Sequence, residues 1–158
     1  MLSTYKNRLC SVWRHIRAFF VFVFEMSGKR KTRLIEVIKP LRLNILDQMP
    51  IPTNLTAETL AIQTTYLVQK AEQWGYERYW FAEHHGTKGL ISSSPELWMA
   101  SMAAKTTTIK LGSGGILLPQ YSSYKVASQL NQLAVSFPGR IDGGLGRSLE
   151  VPKRLGER

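Results

Sequence analysis

The 158-residue sequence holds one cysteine, Cys10. That excludes an intrachain disulfide and any zinc site built on cysteine pairs, and a reducing, cytoplasmic setting is the simplest expectation. Histidine is nearly as scarce, with only His15, His84 and His85. The helical His-Glu-x-x-His arrangement of zinc hydrolases is missing, so no metal site is expected. No run reaches the roughly 18–20 apolar residues of a membrane-spanning helix. The nearest stretch, Ala18 to Phe24, is followed by Glu25-Met26-Ser27-Gly28-Lys29-Arg30, which offers no small-residue cleavage site for a secretory signal. Membrane contact through residues 18–24 is not expected, and the simplest reading starts translation at Met26.

Acidic residues are also short, 11 Asp+Glu against 21 Lys+Arg, for a formal charge of +10. So basic a balance first raises nucleic acid or an anionic membrane as partner. Its distribution changes that reading. Residues 1–42 carry ten bases and two acids, and residues 147–158 carry four bases and two acids. Between them, residues 43–146 carry seven of each. The excess belongs to the two ends, around an electrically balanced centre. The organisation expected is a basic extension over 1–39, a domain over 40–147 and a tail over 148–158. Residues 1–42 lack the zinc-finger or helix-turn-helix framework of groove readers, so no nucleic-acid partner is expected. A basic binding or membrane-surface protein acting through residues 1–42 remains an alternative.

The central segment repeats. Strand-like apolar runs at Leu41–Leu46, Tyr79–Ala82, Ile109–Leu118 and Ile141–Leu145 start 38, 30 and 32 residues apart. The gaps carry helical patterns. Thr56 can cap a helix running to Trp74, with Leu60, Thr64, Leu67, Val68 and Ala71 on one face and Gly75 as its stop. Ser94-Pro95-Glu96 supplies a cap and a first-turn proline for a helix carrying Leu97, Met99, Ala100, Ala103 and Ala104. Ser122 or Ser123 starts a third helix through Val126, Leu130, Leu133 and Ala134, ended by Phe137-Pro138-Gly139. Strand and helix alternating at about 30 residues per unit is a parallel α/β pattern. The turn after the first strand, Leu46-Asp47-Gln48-Met49-Pro50-Ile51-Pro52, lacks the glycine-rich dinucleotide fingerprint. Polar and glycine-rich residues gather instead after several strands, as in (β/α)8 barrels. The expectation is α/β, the first half of a (β/α)8 TIM-type barrel with about four parallel strands, cut short of the roughly 250 residues a barrel takes.

Three places could carry chemistry. Strand two ends in Glu83-His84-His85, where side-chain alternation lets Glu83 and His85, or His84 alone, share a face. Strand three contains Gly112-Ser113-Gly114-Gly115. Glycines inside a strand need a reason, which is either close approach of a flat ligand, a backbone geometry closed to other residues, or a bulge. Strand four leads through Gly143-Gly144-Leu145-Gly146 to Arg147, a guanidinium suited to phosphate or carboxylate. The aromatic pairs Trp74/Tyr76 and Tyr79/Trp80 read as packing.

Taken together, Leu46-Asp47-Gln48-x-Pro50-x-Pro52, Glu72-x-x-Gly75-Tyr76-x-Arg78-Tyr79-Trp80-Phe81-Ala82-Glu83-His84-His85, Ser94-Pro95-Glu96, Ile109 to Pro119, Tyr121, Val126-Ala127, Pro138-Gly139-Arg140-Ile141-Asp142 and Gly144-Leu145-Gly146-Arg147 resemble the bacterial luciferase-like, flavin-dependent monooxygenases. The resemblance implies a barrel enzyme using reduced FMN and oxygen on a small organic substrate, with deazaflavin as the alternative cofactor. It implies a flavin reductase as electron donor and a homodimer among full-length relatives. His84 would be catalytic beside the flavin. Ala82, Glu83, His84, Ser113, Gly114, Gly115, Gly146 and Arg147 would bind the cofactor, Gly114-Gly115 through a cis peptide and Arg147 at the phosphate side. Gly143 departs from the pattern, and the resemblance stops at Arg147. A non-catalytic, truncated remnant of such an enzyme is the rival expectation.

Overall fold

The structure, a computed structural model, describes residues 42–148. The readings placed on Cys10, His15, residues 18–24, Met26, Leu41 and the segment from Leu149 onward lie outside the described residues. Four strands and three helices alternate: β1 (Asn44–Asp47), α1 (Ala57–Gln73), β2 (Arg78–Phe81), α2 (Pro95–Ala103), β3 (Lys110–Leu117), α3 (Ser123–Ser136) and β4 (Ile141–Gly146), with a 3-10 turn at Leu118–Gln120. All neighbouring strands pair in parallel and the sheet order is β1-β2-β3-β4. A doubly wound sheet reverses direction after its first strands, whereas a barrel adds each strand beside the last. This is the strand order of the first half of a (β/α)8 barrel.

Local signals explain the elements. Thr56 caps α1, its hydroxyl accepting from the Thr59 N–H at 3.2 Å, and the helix ends at Trp74 before Gly75, whose φ of 78° is the left-handed conformation such a stop requires. α1 buries Leu60, Thr64, Val68 and Ala71, one stripe at helical spacing. α2 starts with Pro95 in its first turn, as expected, but Ser94 forms no side-chain cap bond. Its buried face is Pro95, Met99, Met102 and Ala103, while Leu97 is 66% exposed. Starting at Pro95 puts positions 95, 99, 102 and 103 on the sheet side and carries Leu97 to the opposite one. β1 lies later than the apolar run suggested, at Asn44–Asp47, because pairing with β2 continues through Asp47 to Phe81.

The core lies between the sheet and the helices. Ile45, Tyr79, Phe81 and Leu111 point from alternate strand positions into Val68, Ala71, Met99, Met102 and Ala103. Phe81 also stacks on Trp98 at 6.4 Å between ring centroids. Each of these large side chains contributes about 1.5–3 kcal/mol by leaving water.

The opposite face of the sheet accounts for the glycines. A Cβ on Gly112 would stand 2.3 Å from Trp80 Cε3, and one on Gly114 would stand 2.8 Å from Leu46 Cδ1. One on Gly144 would stand 2.2 Å from the Ser113 carbonyl oxygen. Between Ser113 and Ile116 the β3–β4 register shifts, and the Gly114–Gly115 peptide there is cis, where the resemblance put it. Both a bulge and close approach are therefore present, and the side chains approaching are the protein's own.

Candidate functional site

Because all four strands run the same way, everything just after their last residues gathers on one rim. β1 delivers Asp47. Its Oδ1 accepts from the Met49 N–H at 2.7 Å and its Oδ2 from the Tyr79 hydroxyl at 2.6 Å. Burial pushes the Asp47 carboxyl up, against the lowering effect of those two bonds. Burial and the Asp47 charge together hold the Tyr79 phenol far above its ordinary range, so it stays a donor.

β2 delivers Ala82, Glu83, His84 and His85. The Ala82 N–H donates to the Asp47 carbonyl at 3.0 Å and its own carbonyl accepts from the Ser92 hydroxyl. The half-buried His84 donates its backbone N–H to the Ser92 carbonyl at 2.7 Å. Two bonds to Ser92 thus tie the β2 end to the loop before α2 and fix the direction in which Glu83 and the histidines leave the strand. Glu83 turns inward with a fully buried side chain. Its Oε2 accepts from the Leu117 N–H at 2.8 Å, bridging β2 to the end of β3. Its Oε1 lies 2.5 Å from His85 Nε2 and accepts from the Tyr121 hydroxyl, which is itself 3.1 Å from His85 Nε2. Tyr121 is 41% exposed. Partial burial, the hydrogen bond and charge of Glu83, and the charge of Glu96 all push its phenol up, so it remains an O–H donor at physiological pH.

β3 and β4 complete the rim. Ser113 is buried, and its hydroxyl both donates to the Gly144 carbonyl at 2.9 Å and accepts from the Gly144 N–H at 3.0 Å. Its only hydroxyl hydrogen is thereby committed to β4. Gly114 and Gly115 follow at the register shift. Gly146 pairs with Leu117, and the exposed Arg147 lies one residue beyond β4. Ala82, Glu83 and His84 therefore stand at the end of one strand, Ser113 to Gly115 in the next, and Gly146 with Arg147 at the end of the last. Among the described residues no group of three or more His, Cys, Asp or Glu side chains is arranged to hold a metal ion. Among them, too, no helix is long and apolar enough to cross a membrane.

Two contributors received no role from sequence reasoning. The alternation of β2 allowed Glu83 and His85 to share a face, and they do. Tyr121 sits 38 residues after Glu83, and only the adjacency of β2 and β3 brings the two together. Ser92 had no local signal.

Comparison with known proteins places this geometry. The family model described as luciferase-like monooxygenase matches residues 43–155. An N-acetyl-S-alkylcysteine monooxygenase of Bacillus subtilis (strain 168) is 46% identical over 108 residues, 68% of this chain and 32% of the relative. Among solved structures, apo-MsnO8 superposes with a TM-score of 0.67 at 39% identity, over 70% of this chain and 33% of that one. The oxygenating constituent of 3,6-diketocamphane monooxygenase from Pseudomonas putida, solved in complex with FMN, shares the fold with a TM-score of 0.64 at 21% identity, over 68% and 30%. The chain thus spans about a third of the length of the relatives it matches. Its motifs, its strand order and the family match agree: the chain belongs to the luciferase-like monooxygenase family.

Proposed function

We propose that this rim is the flavin-facing wall of an FMN-dependent monooxygenase that acts on a small organic substrate with molecular oxygen, the reduced flavin being supplied by a separate reductase. In this reading the working enzyme is a cytoplasmic homodimer with no nucleic-acid partner. The observation that carries the reading is the convergence, on one end of one sheet, of an apolar surface, a cluster of proton-bearing groups and a cation. The apolar surface is made by Leu46 and Trp80, which lie over Gly114 and Gly112. A flat, largely apolar ring needs such a floor, and its phosphate needs a positive charge, so the residues present fit FMN. FMN is also the flavin held by the diketocamphane enzyme of the same fold.

When bound, reduced FMN supplies the electrons that activate oxygen. The chain does the rest. Arg147 holds the phosphate with a planar, two-pronged donor set. Trp80 and Leu46 would give the ring its apolar contact and keep water from it, with the Ala82 and Gly114–Gly115 backbone beside them. His84 exchanges a proton with the reacting centre, and the buried Glu83 keeps the end of β2 in register with β3.

A titration of the 158-residue chain into FMN, followed by quenching of flavin fluorescence, tests the reading. Saturable quenching is expected, with affinity about tenfold weaker in Arg147→Gln, equivalent to about 1.4 kcal/mol. A folded chain that leaves FMN fluorescence unchanged would contradict it.

A further inference from the structure

The Glu83 carboxylate, fully buried, meets three donors, the Leu117 N–H, the Tyr121 hydroxyl and His85 Nε2. Only the first is held by the fold itself. The other two compete for the same atom, Oε1. A carboxylate oxygen 2.5 Å from an imidazole nitrogen puts the shared proton on the line between them, so a neutral His85 carries its hydrogen on Nε2 and presents Nδ1 as its acceptor. Tyr121 is close enough to both partners to alter that arrangement, its oxygen also 3.1 Å from His85 Nε2. Its ring leans on the imidazole at 6.5 Å between centroids. The side chain of His85 is 21% exposed and Tyr121 is 41% exposed, so this proton network reaches from a sealed carboxylate to the open rim.

We propose that Tyr121 and Glu83 are positioning residues that fix which nitrogen of His85 carries the proton, making His85 a second proton-exchanging group of this rim besides His84. The proposal rests on the reading of the rim as the reacting face. Among the described residues, the titratable groups that face His85 include Glu83 from the end of β2 and Tyr121 from the turn after β3, and the charge of Glu96 of α2 acts on Tyr121. Tyr121 weakens the Glu83–His85 pair by taking part of the carboxylate's accepting capacity. Removing its hydroxyl leaves His85 the sole side-chain donor to Oε1, which strengthens the hold of the carboxylate on the Nε2 hydrogen. Removing the Glu83 charge does the opposite.

The test is 15N NMR of the two imidazole nitrogens of His85 in the full chain at about pH 9, assigned by their loss in His85→Gln. The wild type should carry its hydrogen on Nε2. Glu83→Gln should move hydrogen from Nε2 towards Nδ1, and Tyr121→Phe, which keeps the ring, should move the Nε2 resonance in the opposite sense. Nitrogen resonances unmoved in Tyr121→Phe, while the far-UV circular dichroism is that of the wild type, overturn the proposal. So do resonances unmoved in Glu83→Gln. Adding FMN to the same samples separates the two readings. Shifts in the expected directions without any FMN binding support the network and contradict the flavin assignment.

Discussion

At the end of the sheet where its strands begin, Glu72 of α1 accepts backbone N–H bonds from Thr107, Thr108 and Ile109 at 2.8, 2.6 and 3.0 Å. Arg140 there donates to the carbonyls of Ala103, Thr106 and Ile109 and to the Thr106 hydroxyl. Arg78 pairs with Asp142 at 2.8 Å and with Glu77 at 2.6 Å. At the end where the strands finish, Glu83 accepts a single backbone N–H, and its other oxygen is shared between two side chains that can gain or lose protons. Both ends are rich in charge. At the first, Glu72 and Arg140 hold mainly backbone, which does not titrate, and Arg78 holds the carboxylates of Asp142 and Glu77 without competition from a second proton-exchanging group. At the second, the charged groups hold one another, and proton positions can change. The difference teaches that the charged residues of the Glu72 to His85 motif split into two kinds, structural pins and chemical groups, according to which end of the strand they occupy.

Variants can break or sharpen that comparison. The largest effect is expected from Arg140→Ala, which removes four charge-assisted bonds and strands three carbonyls. Stability should fall by about 3 kcal/mol, measured by urea unfolding. Glu72→Gln should cost less, about 1 kcal/mol, because the site is partly open to solvent. Its pH dependence has a definite sign. Burial opposes the Glu72 charge, yet the N–H donors of Thr108, Ile109 and Thr107 bring its pKa down from 4.5 to about 2. A carboxylate depressed on folding stabilises the protein above its unfolded pKa and loses that contribution as pH falls through the folded value. The stability gap between wild type and Glu72→Gln should therefore be full above about pH 5 and shrink as the pH falls towards 2. Tyr121→Phe should cost about 1 kcal/mol, since the buried Glu83 carboxylate loses one donor and keeps two. Arg147→Gln, at an exposed position, should change stability least, by no more than about 0.5 kcal/mol, while weakening FMN.

Much of the fold was legible in the sequence for local reasons. Thr56, Gly75, Pro95 and Gly139 act within a few residues of themselves, so helix ends followed from chemistry in the immediate neighbourhood. The apolar stripe of α1 was legible because seventeen residues give the helical period room to show. The nine residues of α2 are apolar nearly all round, so the sequence does not single out the buried face of Pro95, Met99, Met102 and Ala103 from the exposed Leu97. The site was legible in part. Glu83-His84-His85 stood out as a cluster at a strand end, and parallel topology took it to the rim where the Gly114–Gly115 and Gly146–Arg147 segments also arrive. The role of Tyr121 was not legible, because its bond to Glu83 crosses 38 residues and depends on β2 lying beside β3. Nor was the reason for Gly112 and Gly144, which exclude a Cβ in favour of Trp80 and the Ser113 carbonyl, atoms fixed only by tertiary packing.

The division between the two ends is tested most directly by urea unfolding of wild type, Glu72→Gln and Arg147→Gln, each with and without FMN at about 100 times its wild-type Kd. FMN should stabilise the wild type by about 2.7 kcal/mol. The same increment should persist in Glu72→Gln on a lowered baseline, and shrink by about half in Arg147→Gln on an unchanged baseline. An increment lost in Glu72→Gln, or retained in full in Arg147→Gln, would contradict the separation of structural and chemical ends.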